Sequence, residues 1–316
     1  MKSLDELKDY YRNGLKSDLK RVENKRKFLR TQYMLLAGFV VCVGLTTALL
    51  PATRDGHIWI LTAFLAAIVS VIVGVVRTAT YKHSFKKDIV SKLVTFLESD
   101  LSYDPTGHVG KDDFDRCKLF AHRGYNGFRG EDRVYGTLNG REIELSELRV
   151  TQKSGGKNSS TVIIFKGLFL VADAGRSFRG TTLLLPETPA MELPDGKLGE
   201  LVKGLIEKFV PKPSGTKITT GDAVFDARFD IHAEDEEETL ALLDAPLRDS
   251  ILALAGKEGS AIRISFHDSK IFLAQESPDN LFEFKTSQSV LSYDIVEAFF
   301  RDFTRACDLV AAIPRR

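Results

Sequence analysis

The residues in this chain whose types could do chemistry are few, and their spacing decides what each could do. Ser154-Gly-Gly-Lys-Asn-Ser159 has the glycines and lysine of a phosphate-cradling loop. Such a loop also needs a longer glycine-to-lysine spacing, a Ser or Thr directly after the lysine and a helix beyond it. Asn158 follows Lys157 here, so the stretch reads as a flexible hairpin tip. Gly124, Gly127 and Gly130 form no dinucleotide fingerprint, because no strand leads into them and no helix follows. His108, Cys117 and His122 would need a fourth ligand and paired short spacings to hold zinc. Cys117 with His122 as thiol and base lacks a third, orienting group. Asp268 beside His267 sits where a turn wants Asp for its backbone geometry. Glu234 to Glu238 (EDEEE) reads as a solvated face or linker that could attract a basic partner or weakly hold a cation. No catalytic, cofactor-binding or metal-ligating residue is therefore expected, and no cofactor. His122, Arg123, Tyr125, Phe128 and Arg129 form the densest aromatic and basic cluster in an expected loop, and functional residues gather on loops held by a scaffold. They are the candidate binding loop.

The elements that must carry such a loop are organised around Tyr33 to Val76. Tyr33–Leu50 and Ile58–Val76 carry no charged residue. A bilayer core of ~30 Å needs about 20 apolar residues of helix, so each run is long enough to span. Pro51, Arg54, Asp55, Gly56 and His57 break the link between them, and so short a link makes an antiparallel hairpin. The runs are apolar all round, unlike a core helix with a polar face. No Asp, Glu, Lys, Arg or His lies within them, which excludes a transporter, proton path or voltage sensor of the usual kind. The hairpin is expected to be an anchor.

Net charge is +1 over 316 residues, so no global field draws nucleic acid. Three cysteines, Cys42, Cys117 and Cys307, give no disulfide framework and fit a reducing compartment. Basic residues flank the spans on one side: Lys20, Arg21, Lys25, Arg26, Lys27 and Arg30 before the first, Lys82, Lys86 and Lys87 after the second. The connecting loop offers only Arg54. Positive flanks stay in the cytoplasm, so both termini and the C-terminal body are expected there. The flanking cations are the candidate membrane-surface contacts, attracted to anionic headgroups by ~1 kcal/mol each near the surface.

In chain order, residues 1–32 read as an amphipathic juxtamembrane helix with an apolar stripe through Leu4, Leu7, Tyr11, Leu15, Leu19, Val22 and Leu29. Its spans are 33–50 and 58–76, with 51–57 as the external loop. Residues 77–101 continue helically with a wide apolar face from Phe85 to Leu97, which pairing with the first helix as a stalk would cover. Ser102 to Gly107 reads as a turn-rich hinge and domain boundary. A first α+β unit, 102–211, follows. It comprises a short helix at Asp112–Cys117, a loop over 121–130, a hairpin turning at Asn139-Gly140 with a bulge near Ser146–Glu147, and a buried central strand at Thr161–Ala172. A strand at Gly180–Leu185 and a helix at Lys197–Val210 complete it. The second unit, 212–316, comprises a strand at Phe225–His232, a helix capped by Asp244, and strands at Ala261–Phe266, Lys270–Ala274 and Leu281–Phe284. A last helix begins after Ser292. The fold class is thus a membrane-anchored α+β protein with a mainly antiparallel sheet and packed helices in two consecutive units.

Several segments together resemble a bacterial membrane family catalogued as domain of unknown function 3137. The resemblance rests on Leu101-Ser-Tyr-Asp-Pro105, Gly130-Glu-Asp-Arg-Val-Tyr-Gly-Thr137, Phe165-Lys-Gly-Leu-Phe-Leu-Val-Ala172, Phe178-Arg-Gly-Thr181, Phe225-Asp-Ala-Arg-Phe229 and Ile262-Arg-Ile-Ser-Phe266, over Leu101 to Val310. It implies a scaffold preceded by a two-span hairpin in the bacterial cytoplasmic membrane, and brings no activity, cofactor or catalytic residue. The function expected is a non-enzymatic scaffold or adaptor whose body binds another protein or its own copies, with a lipid- or ligand-sensing module as the alternative and an enzyme after that.

Overall fold

In a computed structural model of the chain, residues 2–49, 56–120, 125–153, 160–187, 213–256, 261–278 and 289–313 are described. The chain divides into a helical unit, Lys2–Leu93 with Phe282–Glu297, and a body, Val94–Leu281 with Ala298–Arg316.

The first helix starts where Ser3 and Glu6 form a reciprocal capping box, satisfying two amide donors that a helix start leaves open. It runs as α1 (Leu4–Tyr10), a π turn (Tyr11–Leu15) and α2 (Lys16–Leu49). The second runs as α3 (Gly56–Phe85), a π turn (Lys86–Val90) and α4 (Ser91–Leu97). The side chains that join them climb in antiparallel order. The Tyr10 hydroxyl donates to the Lys92 carbonyl at 3.4 Å, and Lys92 pairs with Asp18. Lys25 Nζ donates to Ser84 Oγ at 3.2 Å, Arg77 lies 5.7 Å over the Phe28 ring, and Tyr33 Oη donates to the Gly74 carbonyl at 3.0 Å. The hairpin and the stalk below it are one continuous pairing. Of the stripe, Leu7, Leu15, Leu19, Val22 and Leu29 are buried and Leu4 and Tyr11 half-buried; Tyr81, Phe85, Ile89, Val90 and Leu93 are buried too. A third segment joins them: Tyr11 Oη donates to the Leu291 carbonyl at 2.6 Å, and the Tyr11 and Tyr293 rings meet edge-on at 5.3 Å. Both helices are long and apolar enough to cross a membrane, and only 6% of each apolar window is buried, unlike the core helix of a soluble domain.

Among the described residues the body holds nine strands: β1 (Leu101–Asp104), β2 (Gly127–Leu138), β3 (Arg141–Lys153), β4 (Thr161–Asp173), β5 (Thr182–Pro186), β6 (Thr216–Ile218), β7 (Phe229–Ala233), β8 (Ile262–His267) and β9 (Lys270–Glu276). They pair antiparallel in one sheet ordered β1-β2-β3-β4-β9-β8-β5-β7-β6. Strands from both sides of residue 211 enter that sheet, since β4 pairs with β9 and β5 with β7 and β8. The two stretches read as consecutive units therefore contribute to one sheet. The β2–β3 hairpin turns at Asn139 and Gly140, both at positive φ, as a two-residue turn matched to strand twist requires. Gly167, inside β4, has φ +154 and the Gln275 carbonyl 2.0 Å from where a Cβ would stand, so only glycine fits.

Five helices accompany the sheet among the described residues: α5 (Lys111–Arg116), α6 (Ala223–Asp226), α7 (Glu236–Leu242), α8 (Ala245–Ala255) and α9 (Tyr293–Ala312). Asp244 accepts from Leu247 N and caps α8, with a proline in its first turn. Arg141, 4% exposed, donates to the Val310 and Ile313 carbonyls at 2.8 Å each, satisfying acceptors that the end of α9 leaves open.

Four local expectations change. Leu101–Asp104 forms an edge strand where a hinge was expected, because its amides and carbonyls pair with Arg133–Gly136. Gly127–Gly130 belongs to β2, paired with Leu148–Thr151. Phe225 lies in the short helix α6, because Asp222 captures the Val224 and Phe225 amides and starts a helical turn. The acidic run is a helix start, Asp235 accepting from Glu238 N, while Glu238 accepts from the Arg179 amide at 2.7 Å and Glu234 from the Thr181 amide at 2.9 Å. Thr161–Ile163 at the start of β4 is exposed and Ile164 and Lys166 half-buried, whereas Phe165 and Gly167–Ala172 are buried as expected. The expected helix at 197–210, the strand at 281–284 and the tip at 154–159 lie outside the described residues.

Candidate functional site

The alternation of β3 slips at Ser146 and Glu147, and the structure shows why. Glu131 of β2 pairs with Glu147 of β3, but the next pair is Val134 with Leu145. Two residues of β2, Asp132 and Arg133, thus stand opposite Ser146 alone, a β-bulge on the partner strand. Asp132 takes φ +63, a left-handed conformation that Asp tolerates better than most residues. The bulge re-aims its side chain. The ligating oxygens of Glu131, Asp132 and Glu147 lie within 4.8 Å of one another, with Asp132 fully buried and Glu147 8% exposed.

Three segments hold the cluster. Tyr103, from β1, donates its hydroxyl to Asp132 Oδ1 in a short hydrogen bond. Burial, and then the negative charge of Asp132, raises the Tyr103 pKa well above the ordinary phenol range, so it stays a donor. The connection after β1 crosses the bulge: the Pro105 carbonyl accepts from Asp132 N at 3.3 Å, and Val109 N donates to the buried Ser146 Oγ at 3.0 Å. A Cβ at Gly130 would stand 2.5 Å from His108 Cβ and 2.6 Å from Leu148 Cδ2, so this position must remain bare for the crossing to close.

Chemically, three carboxylates at this spacing can present oxygen ligands to a hard cation such as Ca²⁺ or Mg²⁺. Tyr103, held protonated, supplies no base.

The expected binding loop is only partly described. His122 and Arg123 lie outside the described residues. Tyr125 donates to Asp115 Oδ1 at 2.5 Å, and its ring meets Phe114 at 5.8 Å. Phe128 meets Phe114 at 5.7 Å and His108 at 5.6 Å, so both aromatics pack onto the Phe114, Phe165 and Phe169 core. Arg129 is exposed. Among the juxtamembrane cations Lys20, Arg21, Lys25, Lys27, Arg30 and Lys87 are exposed and Lys82 is half-buried. Arg26 and Lys86 are buried, Arg26 because it pairs with Glu23 at 2.6 Å inside the stalk. These two do not face a headgroup layer.

The other groups weighed from sequence stand apart. His108 Nδ1 lies 2.9 Å from the Val109 carbonyl. Cys117 and Cys307 are buried, and burial pushes each thiol up to about 12, far from a reactive thiolate. His267 is stacked on Phe272 at 5.0 Å with Asp268 3.2 Å from Nδ1, and burial holds its pKa below the ordinary value. The carboxylate cluster was missed because Glu131 and Asp132 were read as part of a scaffold motif. The slip at Ser146–Glu147 was the signal that could have found it.

A family model described as Protein of unknown function (DUF3137) matches residues 163–315. The resemblance read from sequence is borne out over that stretch, which contains the segments at 165–172, 178–181, 225–229 and 262–266. The two motifs that meet at the carboxylate cluster, 101–105 and 130–137, precede it. No curated protein and no solved structure matches the chain.

Proposed function

We propose, for a chain whose residues 163–315 belong to the family of unknown function DUF3137, that it is a hairpin-anchored membrane protein whose α+β body acts as a non-enzymatic scaffold. The hairpin sits in the bacterial cytoplasmic membrane with both termini and the body in the cytoplasm. Support for the orientation is the basic bias of the flanks over the 51–57 loop. Support for the anchor is the outward apolar surface of the two long helices, with Leu35 69% and Leu61 67% exposed, which water would not tolerate over such a length.

The observation that carries the scaffold reading is where the candidate chemical groups lie. Both buried thiols are held neutral, His267 is buried against Phe272 beside the turn, and Tyr103 is held as a donor. Where a hydroxyl does reach a carboxylate, as Thr106 on Asp104 at 2.9 Å and Thr220 on Asp226 at 2.8 Å, the same oxygen also accepts the threonine's own amide, a contact that holds a turn. The occupant of the body is another protein or a second copy of the chain.

Purification of the full chain from gently solubilised membranes tests this. A specific partner or a defined homo-oligomer is expected; a strict monomer with nothing bound would sink the scaffold reading. Alkaline carbonate extraction tests the anchor separately, and release of the chain into the supernatant would refute it.

A further inference from the structure

The pairing of the two long helices leaves a groove at the end where the stalk meets the spans. Its volume is about 360 Å³, within the range of small-molecule sites. Gln32, Tyr33 and Arg77 line one end, and Leu36, Phe39, Val69 and Val73 line the rest. The groove exists because Gly74 has no side chain: the Tyr33 ring lies where a Cβ at Gly74 would meet it at 3.1 Å. Tyr33 Oη is held by the Gly74 carbonyl at 3.0 Å and by Thr78 Oγ1 at 2.7 Å, so this wall is fixed.

Three features identify the occupant. Within the span, Tyr33 to Phe39 advances about 9 Å at 1.5 Å per residue, roughly a third of a ~30 Å hydrocarbon core, so the groove takes the headgroup-proximal part of an acyl chain. Polarity is ordered along it, with the cation and amide at the stalk end and a mainly apolar lining beyond, in which Ser70 supplies one hydroxyl. Exposed Lys27 and Arg30 stand in the turns just before the mouth, adding positive charge at headgroup level. A helix from a second copy would need an apolar seam along the whole span, without a guanidinium at its end. Basic pockets between spans on the cytoplasmic side suit anionic headgroups. We infer that this groove binds one anionic phospholipid, its phosphate on Arg77 and Gln32 and one acyl chain along Leu36, Phe39, Val69 and Val73. The inference rests on the membrane-anchored reading above.

Native mass spectrometry of the full chain from detergent, with phosphatidylglycerol and phosphatidylcholine offered at equal concentration, reads it directly. One phosphatidylglycerol per chain is expected, retained about tenfold over phosphatidylcholine. Arg77→Gln should remove the preference, and Val73→Trp, which fills the groove, should remove retention of either lipid. Lys153→Gln, at an exposed cation of the body, should change neither. Equal retention of both lipids, or a preference that survives Arg77→Gln, would overturn the proposal. So would displacement of the lipid by millimolar inorganic phosphate, which would mark a phosphate site, or a dimer cross-linked through Val73, which would mark a helix seam. A chain that resists carbonate extraction yet shows no preference refutes the groove alone; a chain that carbonate releases refutes the anchor and the groove together.

Discussion

Two buried acidic sites in this molecule are built on opposite principles. In the stalk, Glu23 and Arg26 stand one helical turn apart, with side chains 3% and 7% exposed and 2.6 Å between Oε1 and Nη2. Val290 N adds a bond to Glu23 at 3.2 Å. The carboxylate there has its cation supplied by its own helix, and the Arg26 hydrogen bond holds its pKa below the ordinary range. In the body, Glu131, Asp132 and Glu147 are drawn from two strands onto one another. The first site pairs opposite charges within one helix. The second sets like charges across two strands, which costs stability.

Removing either carboxylate should therefore have opposite effects. Glu23→Ala leaves a buried guanidinium without its carboxylate and should cost about 3–5 kcal/mol, read as a fall in the thermal midpoint of the helical signal in detergent. A change within error would show that the stalk pair is not a structural element. Tyr103→Phe removes the donor to Asp132 and should cost about 1.5–3 kcal/mol, as losses of hydrogen bonds to charged groups do. Glu147→Gln, by contrast, relieves a like-charged cross-strand pair and should be neutral or stabilising by about 0.2–1 kcal/mol without divalent cation. Millimolar Ca²⁺ or Mg²⁺ should raise the midpoint of the unsubstituted chain more than that of Glu147→Gln. Equal responses would remove the cation from the account of the cluster.

Acid should separate the two regions by pH window. The folded-state pKa of His267 is lowered by burial, so its contribution is present above the unfolded value near 6.5 and is lost as pH falls below it. Glu23, also lowered, contributes above its ordinary value of about 4.5 and loses that contribution only as pH falls further. Body signals should therefore weaken first on acidification, and His267→Phe should flatten that first loss. A stalk that softens near pH 6 would contradict the assignment.

Much of this was legible in the sequence, wherever one local rule decided the outcome. Charge-free runs of span length gave the hairpin, Asn139-Gly140 its turn, Asp244 its cap, and the apolar stripe from Leu7 to Leu29 a helix that pairs in the stalk. What escaped depended on pairing with distant partners. Leu101–Asp104 looks like a turn until Arg133–Gly136 arrives to complete its ladder. The carboxylate cluster needed a register in which one extra β2 residue faces Ser146, and register follows from the whole sheet. Tyr125 and Phe128 looked like a binding surface because nothing in their own stretch announces Phe114, the ring both pack against.

The most direct test of the scaffold account is cross-linking in intact membranes, followed by affinity purification and mass spectrometry, on the full chain and on a chain ending at Leu101. The account predicts a specific protein cross-link, to a partner or to a second copy, that is lost when the body is removed. Cross-links that persist unchanged without the body, or none with it, would contradict the account.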